Sequence, residues 1–140
     1  MPTLLKLTVT VVFAAIGISA FAQGKSDRVD LGKYEFQANC ASCHGVDGKG
    51  NGPIVSQLKK APPDLTVVAK NNGGVFPFSR LYEVIEGADV ASHGTREMPV
   101  WGWEYKVQAG EYSLDPANSE TFVRSRILAL LEYINRLQVK

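Results

Sequence analysis

The sequence predicts a mostly α-helical domain with about three to five short helices joined by long loops. Three observations lead there. A C-terminal segment repeats apolar residues at helical spacing, strand-type alternation is scarce, and two stretches, 61–78 and 88–116, carry no regular pattern. Loops that long in a small domain point to a function or to a core component other than polypeptide.

The first residues read as a leader. Lys6 precedes an apolar run from Leu7, which closes on Ala20-Phe21-Ala22. This is the charge, apolar run and small-x-small ending of a signal peptide over residues 1–22. The run is shorter than the roughly 20 residues of a membrane span. Left uncleaved, it would tether the same domain to the outer face of a membrane. A polar leader, 23–29, then precedes the domain at 30–140. Losing Lys6 takes one from the 15 Lys and Arg and leaves them equal to the 14 Asp and Glu. A neutral chain has no basic excess for nucleic acid. Export implies an oxidising compartment, where two free thiols are unusual.

Asp30 is a good N-cap for a helix to about Ala41, with Leu31, Tyr34 and Ala38 on one face and Phe36 beside it. Gly45, Gly48, Gly50, Gly52 and Pro53 make the next stretch a turn-rich loop. A short helical piece over 54–60 ends at Pro62-Pro63. Ser79 caps a helix through Leu81, Val84 and Ile85, and Gly87 stops it. From about Ser119 to Gln138, the residues Val123, Ile127, Leu130, Leu131, Ile134 and Leu137 form one apolar stripe.

Both cysteines and one of the 2 histidines lie in Cys40-Ala41-Ser42-Cys43-His44. Three chemistries compete for this cluster. A thioredoxin-like dithiol needs a preceding strand, and none is read here. A zinc site would combine Cys40, Cys43, His44 and the distant His93, but Cys43 and His44 are neighbours whose side chains diverge on a helix. Covalent haem attachment has the signature C-x-x-C-H. Two thiols three apart suit the two vinyl groups on one porphyrin edge, and the diverging His44 then points at the iron. Thioether formation also consumes the free thiols.

Such a haem leaves one axial position. Met98 lies in REMPVWGW, where Pro99 disfavours helix at the preceding residue and leaves an extended loop to lay a thioether over the ring. Val100, Trp101 and Trp103 offer apolar cover. His93, in a small polar loop, is the alternative ligand. A methionine favours ferrous iron, raises the potential relative to a second histidine, and fills the coordination shell, which leaves outer-sphere electron transfer.

These residues resemble class I cytochromes c, in particular the small periplasmic bacterial monohaem type, over essentially all of 30–138. Gly32 and Phe36 match the family's Gly-x-x-x-aromatic on the N-terminal helix. Leu130 and Tyr133 look like its partner pattern on the C-terminal helix, and Gly32 would let the two backbones approach. The resemblance implies the cytochrome c fold around one covalent haem c. Cys40 and Cys43 would make the thioethers, His44 and Met98 the axial ligands, and the Pro63 carbonyl would accept the His44 Nδ1–H.

It further implies a monomeric periplasmic electron carrier, not an enzyme. Its partners would be redox proteins: a dehydrogenase, an oxidase or a cytochrome bc-type complex. Two other roles are open, a fixed haem subunit of a larger dehydrogenase or oxidase, and a haem enzyme or sensor with a labile distal ligand. The neutral chain lacks the lysine-rich docking face of the mitochondrial type, so electrostatic steering is modest. Tyr105–Asn118 exceeds the minimal family pattern and reads as a solvated loop or a docking surface. Asp47-Gly-Lys-Gly-Asn-Gly lacks the ligand spacing of a calcium loop. Arg80, Arg96, Tyr82, Tyr105 and Trp101 are candidate donors to the haem propionates. Phe76, Phe78, Trp101 and Trp103 are equally core or haem wall.

Overall fold

Asp30 opens the first helix as expected: its carboxylate accepts from the Lys33 N–H at 3.0 Å, and α1 follows over Leu31–Glu35. The computed structural model describes residues 28–87, 98–112 and 114–139. The expected signal peptide, residues 23–27 of the leader, His93 and Arg96 lie outside the described residues. Every regular element among the described residues is helical.

α1 runs into a π-helical turn, Phe36–Cys40, and then into α2, Ala41–His44. The wider turn resets which side chains face inward. Gly32, Glu35, Phe36, Cys40, Ala41 and His44 are buried, whereas Tyr34 and Ala38 are exposed. The expected Leu31/Tyr34/Ala38 face is therefore wrong. Two contacts choose the real face. A Cβ on Gly32 would overlap the Ala129 carbonyl and come within 2.9 Å of Tyr133 Cβ, so only glycine admits this approach. Phe36 then stacks on Tyr133, ring centres 5.2 Å apart.

The partner is α5, Pro116–Arg136, which starts earlier than its stripe suggests. Asp115 caps it, accepting from Ala117 N–H at 2.9 Å, and Pro116 fits the first turn. Val123, Ile127, Leu130, Leu131 and Ile134 are buried as expected. Arg136 near the end of α5 returns to Asp30 at 2.5 Å, closing the two ends of the domain on each other.

α3 spans Phe78–Glu86 with Pro77 rather than Ser79 at the cap position, and no side chain caps it. Gly87 ends it in the left-handed conformation, φ 99°, its N–H on the Glu83 carbonyl. The expected helical piece at 54–60 shrinks to a 3-10 turn, Val55–Gln57. Two more such turns, Leu65–Val67 and Lys70–Asn72, organise the first long loop.

The second long loop departs most from expectation. Trp101–Tyr112 is a helix, α4, packed between α3 and α5. The expected solvated loop is thus helical from Tyr105 to Tyr112, with Tyr105 fully buried and Ala109 nearly so. A Cβ on Gly102 would overlap the Glu86 carbonyl, so the start of α4 lies directly on the end of α3. The signal was a narrow strip, Gly102, Tyr105 and Ala109 at i, i+3, i+7, which an apolar count overlooks because one member is glycine.

Candidate haem site

His44 is the last residue of α2, where helix carbonyls lose their internal partners. The glycine loop folds back to supply them. Ile54, Gly52 and Gly50 donate N–H groups to the carbonyls of Ser42, Cys43 and His44 at 3.2, 3.0 and 2.8 Å. The loop and the C-x-x-C-H turn therefore form one bonded unit.

The imidazole of His44 is buried, with Nδ1 3.4 Å from the Pro63 carbonyl. A carbonyl only accepts, so Nδ1 carries the proton and Nε2 keeps its lone pair. Burial, partly opposed by the Pro63 bond, holds the ring below its ordinary titration range. At neutral pH it is a neutral donor.

Pro63 is held in turn from the C-terminus. Asp64 accepts from the Thr66 N–H and hydroxyl at 2.8 and 2.7 Å. Gln138 donates to the carbonyls of Leu65 (2.7 Å) and Ile134 (2.8 Å) and accepts from Ala69 N–H (2.9 Å). Val139 N–H reaches the Thr66 carbonyl at 2.9 Å. Gln138→Ala removes three bonds at once and is expected to lower stability by about 2 kcal/mol, read as a denaturant midpoint. An unchanged midpoint would mean that the tail does not clamp this loop.

Two carboxylates, exposed Asp30 and half-buried Asp64, add an acid-sensitive contribution. Lys33 N–H, then Arg136, hold Asp30 below its ordinary pKa, and the two Thr66 bonds do the same for Asp64. A depressed carboxylate pKa stabilises the fold above the unfolded value and loses that contribution as pH falls through the folded one. Stability should therefore decline below about pH 3.8, the ordinary value, and Asp64→Asn should flatten that decline in acid denaturation.

Cys40 is buried and Cys43 half-buried, and neither is in a disulfide. Burial, reinforced by Cys43, pushes the Cys40 thiol up to about 12. This environment favours a neutral sulfur. Among the described residues, no three His, Cys, Asp or Glu side chains converge on a metal-ion position. The residues before Cys40 are helical, which removes the strand a thioredoxin-like dithiol needs. A thioether, neutral and apolar, fits both sulfur positions.

The surroundings fit a large apolar group as well. From Val46 to Pro77 no apolar side chain is buried; Ile54, Leu65, Val67, Val68 and Phe76 are half-covered. Met98 is half-buried against the cluster that contains Cys40 and Ala41, as are Trp101 and Leu65. Trp103 is not part of the cover expected for it, since it is 63 % exposed on the outer side of α4.

The family model for cytochrome c matches residues 29–112. The chain belongs to the cytochrome c family. No significant match to this cytochrome is found among curated proteins or solved structures. The matched span holds Cys40, Cys43, His44, Pro63 and Met98, and ends before α5. Members of this family are haem-binding electron carriers, so a covalent haem c is the expected cofactor of the C-x-x-C-H turn.

One functional-looking group in this cytochrome escaped the sequence. Glu35 is 2 % exposed. Its Oε1 pairs with Arg126, and its Oε2 accepts from Asn39 at 2.9 Å and from the Tyr105 hydroxyl at 3.0 Å. Arg126 also lies over the Phe122 ring, 4.6 Å from its centre. Burial, then the neighbouring Cys40, push the Tyr105 phenol well above its usual range, so it stays a neutral donor. Tyr105 is thereby committed to Glu35 rather than to a propionate. Of the other propionate candidates, Arg80 is exposed and Tyr82 and Trp101 are half-buried.

Proposed function

We propose that this cytochrome carries one haem c and passes single electrons between larger redox proteins of the periplasm. Cys40 and Cys43 hold the porphyrin by thioethers, each formed as an S–H adds across a vinyl group. His44 would hold the iron through Nε2 and Met98 through its sulfur. When bound, the haem supplies a reversible one-electron couple.

The chain's own residues do the rest. Pro63 fixes the tautomer of His44 and raises its basicity. Met98, neutral and soft, favours the reduced state. The half-covered apolar side chains of the first long loop and of α3 keep water from the ring. The carrying observation is the buried His44 ring bonded through Nδ1 to Pro63, on the same turn as Cys40 and Cys43. A chain with only 2 Cys has one such motif and hence one haem. Among the described residues no helix is long and apolar enough to cross a membrane.

The test is protein matured in a host that attaches haem. A haemochrome assay should count one haem, and ferric protein should show the weak far-red methionine–iron band. Met98→Ala should abolish that band and lower the midpoint potential. A variant with unaltered spectrum and potential would hand the distal position to another group such as His93. Electron transfer to a dehydrogenase, oxidase or cytochrome bc-type complex should depend only weakly on ionic strength, because the mature chain is neutral.

A further inference from the structure

α4 packs between α3 and α5 through a narrow strip. Trp103, Glu104, Lys106, Val107, Gly110 and Glu111 are exposed, and Gly102, Tyr105 and Ala109 are buried. Tyr105 is the one large buried side chain among these, and its hydroxyl is fastened to Glu35, which also grips Arg126 of α5 and Asn39 beside Cys40. Among the side chains of α4, Tyr105 makes the hydrogen bond that ties the helix to α1. Met98 lies immediately before it. The Val100 carbonyl accepts from the N–H groups of Trp103 and Glu104 at 3.1 and 3.2 Å, so the Met98–Val100 strap enters the first turn of α4 without slack.

We propose that Tyr105, acting through Glu35 and Arg126, is a positioning residue for Met98 and sets how readily an outside ligand displaces the thioether from the iron. The inference rests on the reading of Met98 as the distal ligand. Displacement moves the strap, and the strap cannot move far unless α4 shifts with it. The Tyr105–Glu35 bond is intact when Met98 is in place and strained or broken when α4 shifts, so it favours the ligated state. A bond that differs between two states is what biases them.

Ferric, haem-loaded protein would be titrated with imidazole while the far-red band is followed, and unfolded with denaturant while far-UV dichroism is followed. Tyr105→Phe keeps the ring and removes the hydroxyl. It should bind imidazole roughly tenfold more tightly, the equivalent of about 1.4 kcal/mol, with Glu35→Gln changed in the same direction. Ile134→Val, a buried core position of α5 outside the Tyr105–Glu35–Arg126 hydrogen bonds, should lower the unfolding midpoint and leave imidazole affinity alone. If Tyr105→Phe leaves imidazole affinity unchanged, or Ile134→Val raises it equally, the positioning role is overturned and the cluster only stabilises the fold. A wild-type protein without the far-red band overturns the Met98 ligation itself, a separate failure.

Discussion

Gly32→Ala is expected to destabilise the haem-loaded protein by about 3 kcal/mol. The added Cβ meets the Ala129 carbonyl and the Tyr133 Cβ, and neither is the end of a flexible side chain. The helices α1 and α5 must therefore separate. Separation uncovers Phe36, Leu130 and Tyr133 together, since all three are buried at this crossing. Chemical denaturation of wild type and variant, followed by dichroism, measures the difference. A shift of under about 0.5 kcal/mol, the range of a surface substitution, would mean that the two backbones are not in contact.

Glu35→Ala is expected to cost about 3 kcal/mol by leaving a buried ion pair without its anion. Three donors lose their acceptor at once: the Arg126 guanidinium, the Tyr105 hydroxyl and the Asn39 amide. Arg126 retains an escape, because its side chain is 24 % exposed and can turn toward water, which places the cost at the lower end for such a pair. Glu35→Gln keeps the shape and one accepting oxygen, and should lose about 1–2 kcal/mol. Equal midpoints for wild type and Glu35→Ala would show that the cluster contributes nothing net.

These two residues also show where sequence reading succeeds and where it stops. Gly32 was legible: a glycine eight before Cys40, with an aromatic at Phe36, resembles a helix crossing, and the structure places it in one. The C-x-x-C-H turn was legible because covalent attachment fixes the spacing of its atoms. The stripe of α5 was legible because one helix face is buried along its length. Glu35 was not, since its partners Tyr105 and Arg126 lie 70 and 91 residues away and no local pattern marks a glutamate as interior. α4 was read as a loop because its buried strip is narrow and two glycines dilute it, while Trp103 and Val107 face water. The π turn at Phe36–Cys40 left no trace in composition, and Tyr34 was misplaced because the contacts of Gly32 and Phe36 with α5 turn the other side of α1 inward.

The crossing of α1 with α5 joins the beginning of the domain to its end, with every other element between them. Closing so long a segment costs conformational entropy before any contact compensates it, and such topologies fold late. A polypeptide emerging from the ribosome has no second half of this crossing until its final helix appears. Until α5 is in place the inward face of α1 that leads into the C-x-x-C-H turn stays uncovered, and the 21 residues of α5 are what close it.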